Sequence, residues 1–264
     1  MSTILHIDPV VEAVDAISGW MWRQVVDLSG SWMSSTVLHP LSWPSIVTHF
    51  YNLSRDLAGS LVVVIMVSVS LKSMWPQLSW SWRRMSAPLY LERLVTAGFI
   101  SLTGLWLVKA ALDINNGVVL SLLQEALNWT PGLPATGGAL SPLVVLLVGS
   151  AMLLLMLYLG LFYAVRTIEI FLLTAAIPWF ALWWAAQDND SALTNIAREL
   201  GVVIFIQSFH AGAFWLAVHL MSSGHQWGMA GVLMELALLW YMTKLPGQLR
   251  RLVGIAAGGN RLWR

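Results

Sequence analysis

From Leu143 to Ala164 the chain runs for twenty-two residues without one charged side chain. A helix of about 20 apolar residues matches the hydrocarbon core of a bilayer, and in lipid a backbone must satisfy its own polar groups. The rest of the sequence agrees with a membrane setting. Of 264 residues, 58% are hydrophobic and 10% charged, and the mean hydropathy is +0.71. A soluble domain carries about 25% charged residues. Too little polar surface exists to cover a water-facing globule. Sixteen tryptophans point the same way, because indole rings sit well at headgroup level. The chain therefore reads as an all-α, polytopic integral membrane protein.

Three regions follow along the chain. Residues 1–44 hold an amphipathic helix over Ile4–Leu28 and then a Ser-, Trp- and Pro-rich loop. Ile7, Val10, Val11, Val14, Ile17, Met21, Val25 and Leu28 recur at helical spacing, with Asp8, Glu12 and Asp15 mostly between them. No cleavable signal peptide is evident. Residues 45–243 form the transmembrane part, and 244–264 a basic tail. Six apolar segments are legible: 53–75, 89–112, 143–164, 170–186, 200–221 and 227–242. The first has an apolar core of only fifteen residues, Leu57–Leu71, which places Arg55, Asp56 and Lys72 at the interfaces. The second is expected to end near Lys109 and Asp113, with Asn115 and Asn116 beyond it. Residues 128–142, with Pro131, Gly132, Pro134, Gly137 and Gly138, read as an irregular connector.

The few charges set the topology. Lys72, Arg83, Arg84 and Arg93 mark connector 72–93 as cytoplasmic, and Lys244, Arg250, Arg251, Arg261 and Arg264 mark the tail likewise. Six crossings would put those two on opposite sides. The conflict disappears if the block around Pro178 does not cross, since proline removes a backbone donor and crowds the preceding turn. The expectation is five to six transmembrane helices, best read as five crossings with 170–186 Pro-broken or re-entrant. The N-terminus is then outside and the C-terminus cytoplasmic.

Ionisable and polar groups inside apolar segments each require an account, because a charge there costs about 2.5–3.5 kcal/mol on insertion scales. Arg166 and Glu169 share a helix face and can pair, as an interfacial ion pair or as an anchor for a neighbouring helix or a translocating polyanion. Glu235 lies about 12 Å inside the last segment at 1.5 Å per residue. With a turn near Gly224 it faces roughly position 213, which makes His210 its expected partner and Gln207 the next group along. Such a pair either pins two helices or lines a conduit; a proton relay is a third reading. Arg198 is expected at the cytoplasmic face. His210 and His219 are nine apart and point to opposite sides of a helix, so they cannot share a metal. The chain has no Cys, no HExxH, no Walker A and no GxSxG. Neither enzyme chemistry nor a cofactor or metal is expected.

The second half has a recognisable order. A long apolar helix ends in Arg166, and a small-residue block with proline follows (Ala175, Ala176, Ile177, Pro178). After a polar break comes an aromatic-x-Gln motif (Phe205, Ile206, Gln207), then Leu245, Pro246, Arg250, Arg251 and Gly254. This resembles the TrbL-type polytopic inner-membrane subunits of type IV secretion and conjugation machines, over about 45–254. The resemblance implies a non-enzymatic channel or scaffold subunit in a bacterial or archaeal cytoplasmic membrane. It implies homo-oligomers, other secretion-apparatus subunits, a partner ATPase, and single-stranded DNA or protein as transient substrate. Arg166 and Pro178 map onto the central motif. Many such proteins carry long terminal regions that have no counterpart in this compact sequence. Two other classes stay open from the residues alone: a secondary transporter with a mid-membrane polar site, and a structural membrane anchor.

Overall fold

The computed structural model describes residues 37–74, 87–127, 142–186, 190–223 and 228–258, with a few scattered positions before them. Five helices account for nearly all of these: α1 Ser45–Met74, α2 Ala87–Leu127, α3 Pro142–Ala186, α4 Asp190–Ser223 and α5 Gly228–Gly258. No strand occurs among the described residues. The amphipathic helix expected over 4–28 lies mostly outside them. Prolines set three of the starts. Pro44 precedes α1 and its carbonyl accepts the Val47 N–H at 3.1 Å. Pro88 and Pro142 sit in first turns, where the missing N–H would have no helical partner anyway.

Stretches 45–68, 89–124, 147–186 and 193–216 are long and apolar enough to cross a membrane. Their hydroxyls are satisfied locally: Ser60, Ser68, Thr96 and Thr103 each donate to the carbonyl four residues back. Large apolar side chains such as Val95, Leu102, Trp106, Leu154, Leu157 and Leu161 face outward. In water that surface would be prohibitive; in lipid it is solvated. The protein is multi-pass and contacts the bilayer.

Three expectations change here. The block 170–186 is not a separate re-entrant element. α3 passes through Pro178 as one helix of 45 residues, joining the segments read as third and fourth. Proline costs one backbone hydrogen bond, which a long packed helix absorbs as a bend. Thr174, four residues before it and fully buried, donates its hydroxyl to the Ile170 carbonyl at 2.6 Å, an arrangement that itself bends helices. Nor does α2 stop near Asp113. It continues to Leu127 because Val119 and Leu123 extend the buried stripe of Val108 and Leu112, with Asn115 enclosed between them. α5 likewise runs past residue 244 through Pro246, so Lys244, Arg250 and Arg251 ride on helix.

The chain forms two compact units, 1–40 with 116–165 and 206–264, and 41–115 with 166–205. In the first, Val119, Leu123, Met152, Leu159, Ala211 and Met242 form the core. In the second, Tyr51, Val108, Leu112, Ile170, Val203 and Ile204 form one cluster, and Ala58, Leu94, Ala97, Ala181 and Ala185 another. α2 and α3 are antiparallel in the second unit, since Arg93 meets Trp184 while Gly104 meets Ile177. Gly104 lets the side chains of Ile177 and Tyr51 come close to the α2 backbone. A Cβ would lie 2.9 Å from Ile177 Cγ2 and 3.1 Å from the Tyr51 hydroxyl oxygen, and that hydroxyl donates to the Ser101 carbonyl at 2.7 Å.

Candidate functional site

The polar residues singled out in the sequence are largely interior, and those whose bonds are described reach for backbone carbonyls. Arg166 is 2% exposed. Its Nε donates to the Val203 carbonyl at 2.7 Å and its Nη2 to the Ile204 carbonyl at 2.9 Å. Each of those carbonyls is a helix-interior acceptor with a second lone pair. The planar guanidinium holds two N–H groups in the fixed geometry of two successive carbonyls of α4, which a lysine ammonium on its flexible stem does not. Arg166 is thus a clamp between α3 and α4 inside the second unit. Glu169 and Arg198 are half-buried, and Pro178 is buried.

In the first unit Gln207 and His210 occupy one face of α4. The Gln207 amide donates to the carbonyls of Val37 at 3.1 Å and His39 at 2.9 Å. One fully buried side chain therefore holds the irregular segment before α1. His210, also fully buried, has its Nδ1 2.6 Å from the Tyr163 hydroxyl and its Nε2 3.0 Å from the Met242 carbonyl. A carbonyl can only accept, so Nε2 carries a proton and donates to Met242; with Nδ1 unprotonated, that nitrogen accepts from the Tyr163 hydroxyl.

Met242 explains why a histidine is needed. Its carbonyl would normally accept the N–H of residue 246, four positions on, but Pro246 has none. His210 supplies the missing donor from the neighbouring helix. Phe162 packs edge-on against the imidazole, with ring centroids 6.2 Å apart, and Tyr163 lies 5.7 Å away. The expectation that His210 faces Glu235 rested on a different α4–α5 register. The observed pairing of 210 with 242 sets position 235 about two turns away along α5. Glu235 lies on α5, but its side chain is outside the described residues.

No family model, curated protein or solved structure matches this chain. What the site can do is therefore read from its own geometry. Tyr163 and Pro246 are the members that sequence reasoning missed, although a signal existed for each. Tyr163 stands three residues before Arg166, an i,i+3 spacing on one helix face that is legible in the sequence. Pro246 announces an orphan carbonyl at 242. Nothing in the sequence announces that residues 37–39 are what Gln207 holds.

Proposed function

We propose that this protein is a non-enzymatic membrane scaffold or channel subunit of a translocation apparatus, of the kind the TrbL-type resemblance implies, working as an oligomer. The observation that supports this reading is the use of its buried polar groups. Arg166, Gln207 and His210 bond to backbone of neighbouring elements, which fixes helices, whereas a solute site keeps such groups directed at a ligand. Long apolar faces on α2 and α3 supply area for lipid and for further copies. Light scattering of the protein purified in mild detergent is expected to give a mass of several copies. A monomer that accumulates a small solute in vesicles would instead establish the secondary-transporter reading. Other apparatus subunits, a partner ATPase and single-stranded DNA or protein as cargo belong to the same proposal.

The five described helices also support a simple topology. Four helices carry stretches long and apolar enough to cross; with α3 counted once and α5 taken as a fifth crossing, connector 75–86 and the C-terminus fall on one side. That side carries the Lys and Arg excess and is the cytoplasmic one by the positive-inside rule; the N-terminus is then outside. The absence of native cysteine makes this directly testable. Single Ser191→Cys and Gly259→Cys variants are expected to react with an impermeant maleimide only from the cytoplasmic side, and Ser223→Cys only from the outside. Labelling of positions 191 and 223 from one and the same side would sink the arrangement.

A further inference from the structure

The first turns of α2 carry a second group of polar side chains, unconnected with the Arg166 and His210 sites. Tyr90 is 7% exposed and packs in the cluster of Ala58, Leu94, Ala97, Ala181, Leu182 and Ala185. Its hydroxyl is enclosed and finds no hydrogen-bond partner among the described residues. Such a group calls for an unseen partner. Arg93 lies one turn on, on the same face of the helix, with its guanidinium carbon 5.4 Å from the centroid of the Trp184 ring. The first turn of α2 contains no acid, and a helix N-terminus presents free N–H groups and partial positive charge to an anion. Glu92 is exposed.

The depth of these residues points to the source of the anion. The apolar stretch of α2 begins at Leu89 and that of α3 ends at Ala186. Tyr90, Arg93 and Trp184 therefore lie within about a turn or so of the ends of both stretches, at 3.6 residues per turn. Trp179 and Trp183, exposed on the same end of α3, are the residue type that settles at headgroup level. Basic pockets between membrane helices are a recurrent way of holding anionic headgroups.

We propose that the N-terminal turns of α2 bind the phosphate of an anionic lipid headgroup, with Arg93, positioned by Trp184, as its cation and the Tyr90 hydroxyl as a hydrogen-bond donor. This goes beyond the translocation reading and rests only on the membrane setting. If the protein proved to be a monomeric transporter, the site would stand.

The test is thermal unfolding of the full chain in mild detergent, titrated with phosphatidylglycerol, cardiolipin, phosphatidylcholine, inorganic phosphate or a short single-stranded oligonucleotide. The melting temperature is expected to rise with the two anionic lipids and not with phosphatidylcholine, free phosphate or the oligonucleotide. Arg93→Gln is expected to weaken the response about tenfold or more, since it removes a charge-assisted contact. Tyr90→Phe, which keeps the ring and its packing, is expected to weaken it about threefold or more through loss of the hydroxyl. It serves as the reading if Arg93→Gln does not fold. Arg251→Gln, an exposed charge on α5, is expected to leave the response unchanged. An equal response to phosphatidylcholine, or titrations of Tyr90→Phe and Arg251→Gln that coincide, would overturn the proposal. A matching rise with free phosphate or the oligonucleotide would overturn the lipid assignment in favour of those ligands.

Discussion

Arg166→Glu is expected to yield no folded protein: after solubilisation, the variant should lack the monodisperse peak and the cooperative thermal transition of the native chain. The substitution sets a carboxylate against the carbonyl oxygens of Val203 and Ile204, at a position 2% exposed. It replaces two charge-assisted donors by carboxylate oxygens that meet those carbonyls acceptor against acceptor. An uncompensated buried charge costs about 3–5 kcal/mol, a large share of the 5–15 kcal/mol that typically separates folded from unfolded states. Two companions define the mechanism. Arg166→Lys keeps the charge but offers a point donor in place of a fork, so a loss of about 1–2 kcal/mol is expected. Arg166→Met removes the charge together with its burial cost, while the two carbonyls keep their helical N–H partners; its stability is expected within about 1 kcal/mol of native. If Arg166→Glu purified and melted like the native protein, the clamp between α3 and α4 would be refuted.

The second large effect is a coupling between positions 210 and 246. His210→Ala removes both imidazole bonds, leaving the Tyr163 hydroxyl without its acceptor and the Met242 carbonyl without the donor that Pro246 cannot supply. Interhelical hydrogen bonds in membrane proteins average about 0.6 kcal/mol and reach about 1.7, so a loss of about 1–3 kcal/mol is expected. Pro246→Ala restores a backbone N–H to the Met242 carbonyl from within α5. In that background His210→Ala should cost about 1 kcal/mol less, because the Met242 carbonyl then no longer depends on the ring. Thermal unfolding of the four proteins in the cycle measures this coupling directly. Strictly additive losses would mean that His210 does not replace the proline's missing donor.

The two sites were legible to different degrees. Arg166, Gln207 and His210 were visible as polar residues in apolar surroundings, where burial without hydrogen bonds is too costly to occur by accident. Their partners were not visible. Backbone carbonyls such as Val203, Ile204, Val37, His39 and Met242 have no residue-type signature, so side-chain chemistry alone led towards Glu169 and Glu235 as counter-groups. Pro178 was misleading for a related reason. Its chemistry demands a bend, and both a bent helix and a re-entrant break satisfy that demand. The charge conflict favoured a break, whereas α3 runs through Pro178 as one continuous helix with fewer unsatisfied backbone groups. The Asn115–Asn116 pair and Lys109 likewise looked like a helix end, although the apolar repeat through Val119 and Leu123 carried α2 to Leu127.

By itself the sequence determined the solvent and the class. Runs of about 20 apolar residues with few charges point to membrane helices, which satisfy their own backbone in lipid. Tertiary structure decided where helices begin and end across Pro178 and Asn115, and which groups the interior polar side chains serve. The reason is that helix ends within apolar sequence carry little local signal, and hydrogen bonds to backbone are chosen by register. A helix shifted by one turn presents the same side chains to different carbonyls, and only packing of the neighbouring helices fixes that shift.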